Sequence, residues 1–249
     1  MRRFTIAPER IEGDRVAFDA DETRHLVRVL RLGPGDLVIA ADGQGRDYQV
    51  RILALGATAT GAILGVAPTC AESSLAISLV QGVPKGDKME AIIRATTELG
   101  VTRILPALTE RTVVRLAAGP WRERARRWQR VAREATKQCG RAVVPSVEAP
   151  RPLGEWLASD ESPDLRLCLW EGDGVPLARL LDALDTRPRR ASVIVGPEGG
   201  LADDEIAQAC AAAYTPVTLG RRMLRTETAG PAIVAILQHR LGDLGAETP

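Results

Sequence analysis

The sequence predicts an α/β protein built on a parallel sheet, with a small β-rich domain ahead of it. Three observations carry this reading. From Leu75 onward, short β-branched runs alternate with helical patterns, the mark of βαβ units. Before that, short strands are separated by glycine turns, as in a small barrel. Near the C-terminus, the apolar runs Val193 to Val195 and Val217 to Leu219 each end in glycine. Each therefore delivers a glycine loop to the carboxyl edge of the sheet, where open α/β folds bind ligands.

In chain order, Thr23 to Leu32 reads as a short helix with Leu26, Val29 and Leu30 apolar and Arg24, Arg28 and Arg31 polar. Gly33 to Asp36 is a turn. Leu37 to Ala41 and Tyr48 to Leu53 form a hairpin about Asp42-Gly43-Gln44-Gly45, and Thr58 to Val66 adds a strand. The boundary falls in the polar stretch Pro68 to Ser74, giving domains 1–71 and 72–249. The first domain is equally compatible with a stabilising β-domain and with an RNA-binding module whose Arg2, Arg3, Arg24, His25, Arg28 and Arg31 contact phosphates.

In the second domain, Leu75 to Val80 is a strand, Asp87 to Leu99 a helix closed by Gly100, and Ile104 begins another strand. Trp121 to Cys139 is the clearest helix, with Trp121, Ala125, Trp128, Ala132, Ala135 and Cys139 spaced by three and four. Its other face is basic: Trp121 to Arg141 holds seven Arg and one Lys against two Glu. A charge run of this kind is ordinarily a solvated face. Arg141, just past the helix end, is a candidate anion contact. Leu165 to Trp170 is a strand, Pro176 to Leu184 a helix, and Glu227 to Leu241 the closing helix. Asp203 or Asp204 is placed to cap the helix after Gly200.

Bulk properties exclude several classes. The 249 residues, 45% hydrophobic, can bury a sizeable core. A net charge of +1 means that any basic surface is local. No run approaches membrane-spanning length, and Met1 to Phe4 lacks a signal-peptide core. Cys70, Cys139, Cys168 and Cys210 are scattered, and His25 and His239 are the only histidines. This inventory suits reduced thiols in a cytoplasmic protein with no metal and no membrane partner. No P-loop and no dinucleotide fingerprint is present.

The loop Gly196-Pro197-Glu198-Gly199-Gly200 alone suits an ordinary strand-to-helix turn as well as it suits a ligand loop. The second loop is different. Gly220 to Ala229 sets three arginines, two threonines and a glutamate between a buried strand and an apolar helix, more than a structural connection needs.

These motifs resemble the SPOUT RNA methyltransferases, most closely the 16S rRNA (uracil-1498-N3)-methyltransferase family. The resemblance lies in G-P-E-G-G-L at Gly196 to Leu201 and L-G-x-R-x-L-R-x-E-T-A at Leu219 to Ala229, with Gln81 to Glu90, Gln138 to Arg141, and His25-Leu26 to Val29-Leu30-Arg31. It spans nearly the whole chain. It implies an N-terminal PUA-like RNA-binding barrel and a parallel sheet with a deep C-terminal trefoil knot, where topology rules alone give an unknotted sheet. It implies S-adenosyl-L-methionine as cofactor, held by Leu169, Glu171, Gly196, Pro197, Glu198, Gly199, Gly200, Leu219, Gly220, Met223, Leu224, Arg225 and Thr228. It also implies a homodimer through the knot region, and 16S rRNA of the small ribosomal subunit as partner. The related ribose 2′-O branch uses an asparagine, and this chain contains none. A non-catalytic RNA-binding protein is the other alternative.

Methylation at uracil N3 requires loss of a proton and stabilisation of the charge that spreads to the flanking carbonyls. Arg225 is the first candidate for the electrostatic role. Glu227 and Glu198 are candidate bases, and Glu227 equally suits a helix N-terminal charge. Lys85 and Lys88 are candidate RNA contacts, or simply exposed.

Overall fold

The computed structural model describes residues 1–69, 72–114, 118–159 and 162–245. The boundary expected between residues 71 and 72, together with Cys70, involves positions outside the described residues. Two compact units are present: Met1–Glu72 with Arg133–Val144, and Ser73–Ala132 with Pro145–Pro249.

The first unit contains β1 (Arg2–Thr5), β2 (Ile11–Glu12), β3 (Arg15–Ala17), α1 (Ala20–Arg24), β4 (Leu37–Ala41), β5 (Asp47–Leu55) and β6 (Ala59–Ala67). They form one sheet in the order β1-β4-β5-β6-β3-β2, antiparallel except for β1 on β4. Register shifts at Gln49/Val50 and Ile52/Ala54 bend the long central pair, as bulges do. The core is Phe4, Phe18, Leu26, Val38, Val50 and Ile52.

The helix expected over Thr23 to Leu32 starts earlier and ends differently. Asp19 accepts the Glu22 amide at 2.7 Å and so caps α1. His25–Val29 then forms a π turn, closed by Leu30 N–H to His25 C=O at 3.1 Å. Leu26 stays in the core, but Val29 is 66% exposed, because the wider turn carries it off the buried face. Arg31, at φ 54°, ends the segment.

The second unit holds β7 (Ala76–Gly82), α2 (Lys88–Glu98), β8 (Arg103–Leu108), α3 (Ala118–Cys139), β9 (Ser146–Val147), β10 (Arg151–Pro152), α4 (Leu153–Leu157), β11 (Leu165–Leu169), β12 (Val175–Pro176), α5 (Leu177–Asp182), β13 (Arg190–Val195), α6 (Asp203–Ala211), β14 (Thr215–Thr218) and α7 (Thr226–Leu241). The last residues of α3, from Arg133, cluster with the first unit. The sheet runs β10-β8-β7-β13-β11-β14-β12 with β9 on β8, and every pair is parallel.

Strand alternation divides its core in two. Val80, Leu105, Cys168 and Ile194 pack with Leu153, Trp156, Ile206 and Ala209 of α4 and α6. On the other face α7 packs against α2, β7 and β13. The mixed α/β architecture with a parallel sheet is thus the one the sequence predicts. One local expectation is corrected: Asp203 and Asp204 lie in the first turn of α6, and neither caps it. Ala202 is the cap residue, and its amide is satisfied by Glu205 at 2.9 Å.

Candidate functional site

Because β7, β11, β13 and β14 are parallel, their carboxyl ends share one edge. Along it lies a cavity of about 540 Å³, lined by three segments: Leu169 to Glu171, Val195 to Glu198 with Gly200, and Val217 to Glu227. Lys88 and Ala229 complete the lining. Volume and mixed polarity suit a small-molecule site.

Of the residues read from the sequence as cofactor contacts, Leu169, Glu171, Gly196, Pro197, Glu198, Gly200, Leu219, Gly220, Met223, Leu224 and Arg225 line this cavity. Gly199 and Thr228 do not. The Gly199 carbonyl accepts Arg111 Nη1 at 2.8 Å, and Thr228 is exposed one turn into α7. Trp170, Arg221 and Arg222, which lie within the strand-end segments that the sequence brings together, also line the cavity, as do Thr218 and Thr226, which lie outside those segments.

Two tertiary contacts shape the loops. A Cβ on Gly82 would stand 2.5 Å from Pro197 Cδ and 2.6 Å from its backbone nitrogen. Only glycine lets the end of β7 approach the Gly196–Gly200 loop this closely. The second contact joins that loop to α7. Thr226 Oγ1 donates to Gly196 C=O at 2.7 Å and accepts from Gln81 Nε2 at 2.9 Å. Gln81 Nε2 also donates to Gly82 C=O at 3.0 Å. Gln81 is fully buried, so this polar chain is shielded from water and correspondingly firm.

Charge is concentrated at one side. Lys88 Nζ lies 3.1 Å from Glu198 Oε1 and 3.4 Å from Glu227 Oε2. Glu198 further accepts the Lys85 amide, at 3.1 and 3.3 Å to its two oxygens. Burial works to raise the Glu198 pKa. Hydrogen bonds from its own amide, from Lys88 and from the Lys85 amide outweigh that and leave it below the usual carboxylate value. Lys88 is pushed above the ordinary lysine value, chiefly by its hydrogen bond to Glu198 and, against desolvation, also by Glu227. Glu227 Oε2 is buried, and the cation that faces it among the described residues is Lys88. Arg225, an exposed residue, precedes the first residue of α7 and has no ion-pair partner among the described residues.

The residues read as RNA contacts separate into two groups. Arg2, Arg28 and Arg31 are exposed, and Arg24 shares only an exposed pair with Asp21 at 3.0 Å. His25 is partly exposed, with Nδ1 3.8 Å from Glu22. By contrast, Arg3 pairs with Asp47 at 2.8 Å and is 12% exposed. Burial raises the Asp47 pKa in spite of that arginine. Arg141 donates to Glu72 through Nε at 3.0 Å and Nη2 at 2.6 Å. Both guanidiniums are used in holding the first unit together. Lys85 is exposed, and Lys88 belongs to the cavity. Among the described residues no group of three or more His, Cys, Asp or Glu is placed to hold a metal ion, and no helix is long and apolar enough to cross a membrane.

Comparison with known proteins agrees with this arrangement. An RNA methyltransferase domain model matches residues 71–238, and an RNA methyltransferase PUA domain model matches residues 18–59. Fold and cavity thus fall in one class, the RNA methyltransferases. The chain is 35% identical over 235 residues to ribosomal RNA small subunit methyltransferase E of Synechocystis sp., covering 94% of this chain and 76% of that one. It is 27% identical over 226 residues to the protein of the same name from Bacillus subtilis, covering 88% and 87%. The crystal structure of ribosomal RNA small subunit methyltransferase E from Neisseria gonorrhoeae bound to S-adenosyl methionine superposes with a TM-score of 0.86 at 34% identity, over 98% of this chain and 99% of that one. The chain belongs to the RNA methyltransferase family, in the branch of ribosomal RNA small subunit methyltransferase E.

Proposed function

We propose that this protein transfers a methyl group from S-adenosylmethionine to N3 of a uridine in 16S rRNA of the small ribosomal subunit, in the cytoplasm. The observation that carries the reading is the convergence of the glycine loop and the arginine-bearing loop on one cavity. Its features suit the cofactor. Leu169, Val195, Val217 and Leu219 offer apolar wall for an adenine, and Glu171, Glu198 and Glu227 complement a ligand with cationic groups. When bound, S-adenosylmethionine supplies an electrophilic methyl group.

The chain's residues supply the rest. Arg225, exposed at the mouth, donates hydrogen bonds to the uracil carbonyl oxygens as the N3 proton leaves, stabilising the charge that spreads onto them. Glu227 is the better proton acceptor of the two carboxylates. The cation that faces it among the described residues is Lys88, at 3.4 Å, whereas Glu198 meets Lys88 at 3.1 Å and also accepts the Lys85 amide. Lys88 keeps the two carboxylates apart from each other's charge. We assign phosphate contacts to the exposed Arg2, Arg24, Arg28 and Arg31 of the N-terminal RNA-binding domain.

We infer further that the C-terminal segment is knotted. In support, β14 pairs with β11 while α7 returns to pack on β7 and β13, and Thr226 is bound to Gly196 on the way. Incubation with radiolabelled S-adenosylmethionine and unmodified small subunits, followed by mapping of the labelled base, tests the function. Label at N3 of one uridine is expected; label on a ribose or on no RNA overturns it.

A further inference from the structure

The basic face of α3 is accounted for only in part by the fold. Trp121, Ala125, Trp128 and Ala132 bury one side of the helix. Three of its cations have intramolecular partners. Arg127 pairs with Glu90 at 2.6 Å, Arg124 stacks on the Trp121 ring at 5.5 Å, and Lys137 pairs with Glu22 at 2.7 Å. Arg122, Arg126 and Arg130 are exposed, and none has an ion pair, hydrogen bond or ring contact among the described residues.

Their spacing is regular. Steps of four residues put the three guanidiniums on one stripe, advancing ~6 Å along the axis and drifting ~40° per step. That interval is comparable to the step between successive phosphates of one nucleic-acid strand. Glu123 is the only carboxylate between Arg122 and Arg130, Glu134 follows one step of four beyond Arg130, and among the described residues neither forms an ion pair with the stripe. Like charges at i,i+4 repel and weaken a helix, so the stripe costs stability that no ion pair among the described residues offsets. A polyanion laid along it would remove the repulsion.

We infer that Arg122, Arg126 and Arg130 form a phosphate-binding track for the RNA backbone, carried by the second unit and separate from the N-terminal RNA-binding domain. The inference rests on the reading that the substrate is RNA. The track positions substrate and carries no base selectivity, since phosphate contacts fix register without reading sequence.

The test is the triple variant Arg122→Gln, Arg126→Gln, Arg130→Gln in the full chain. Its control is the triple variant Arg94→Gln, Arg179→Gln, Arg189→Gln, which removes equal charge from exposed sites elsewhere in the same unit. Affinity for unmodified small subunits and for a 16S rRNA transcript is measured against salt, with cofactor affinity by calorimetry as the check on folding. Each lost phosphate contact removes ~0.7–0.9 from the slope of log K against log salt, so a decrease of about 2 to 3 is expected. Between ~50 and ~200 mM salt the gap between parent and variant should then close by roughly 20- to 40-fold. Cofactor affinity and kcat at saturating RNA should be unchanged. An unchanged slope, or an equal change in the control, overturns the track. A parent that binds neither RNA overturns the RNA reading itself, and the track with it.

Discussion

Thr226 Oγ1 donates to the carbonyl oxygen of Gly196 at 2.7 Å across 30 residues of sequence. The same hydroxyl accepts from Gln81. One small side chain therefore joins the carboxyl end of β7, the glycine loop after β13 and the start of α7. Thr226→Val keeps shape and removes the hydroxyl. The Gln81 amide then loses a buried partner, at a cost of about 1–3 kcal/mol. Thr226→Ser should recover most of it. Chemical denaturation with calorimetric titration of S-adenosylmethionine checks this. A Val variant with parent stability and affinity would show that the contact is incidental.

Gly82 and Gly199 form a second contrast. Gly82→Ala drives a Cβ into Pro197 backbone and ring, neither of which can yield without moving the loop. Overpacking of this kind costs about 1–3 kcal/mol, and cofactor affinity should drop about tenfold or more as the loop shifts. At Gly199 an added Cβ meets the Arg111 side chain, 3.2 Å from its Cβ and 3.4 Å from its Cδ, so that a shift of a few tenths of an ångström relieves the contact. Gly199→Ala should therefore bind cofactor nearly as the parent does. Equal losses in the two variants would sink this reading of the loop.

The contrast shows where the sequence was legible and where it was not. The alternation of strand and helix was readable because each element carries its own period: Leu79/Val80 and Val193/Ile194 alternate across the sheet, and the spacing of Trp121, Ala125 and Trp128 marks one helix face. The glycine loop was readable for the same local reason. What lay hidden depends on partners distant in sequence. Arg3 and Arg141 look like free cations until Asp47 and Glu72, 44 and 69 residues away, are brought beside them. Arg111 gave no signal, because its contact with Gly199 spans 88 residues. The early start of α1 was recoverable from Asp19 as a cap, and the π turn after it was not, since no residue pattern distinguishes it from an α turn.

The cluster at Lys88 predicts a pH dependence. The folded pKa of Glu198 is depressed, so its contribution to stability is present above its unfolded pKa near 4.5 and is lost as pH falls through the lower folded value. The folded pKa of Lys88 is raised, so its contribution is full below 10.5 and is lost as pH rises through the higher folded value. Between these limits the pair is intact. Lys88→Gln should therefore be less stable than the parent from about pH 5 to pH 10, with the deficit shrinking below about pH 4 as Glu198 protonates. Thermal melts across that range check the sign. A deficit that persists undiminished at pH 3 would mean that packing, and not charge, sets it.

The last prediction is that the active unit is a homodimer. Within one chain, α7 buries Ala229, Ile233, Val234, Leu237 and Leu241. Ile236 remains 36% exposed, and Ala232 and Ala235 are only partly covered. Apolar residues thus continue beyond the face that one chain covers, as a helix with a second packing partner requires. In a twofold dimer built on this face, the methyl donor of one subunit can serve RNA held by the N-terminal domain of the other. Two inactive variants test this. One is Arg225→Ala, in which loss of the electrostatic donor should lower kcat about 10²- to 10³-fold. The other neutralises Arg2, Arg24, Arg28 and Arg31, which leaves the buried Arg3–Asp47 pair intact. Mixed under conditions of subunit exchange, they should regain activity, because each heterodimer contains one site whose donor half and RNA-binding half are both intact. Exchange confirmed by mass spectrometry with no recovered activity would mean that each chain methylates the RNA bound by its own N-terminal domain.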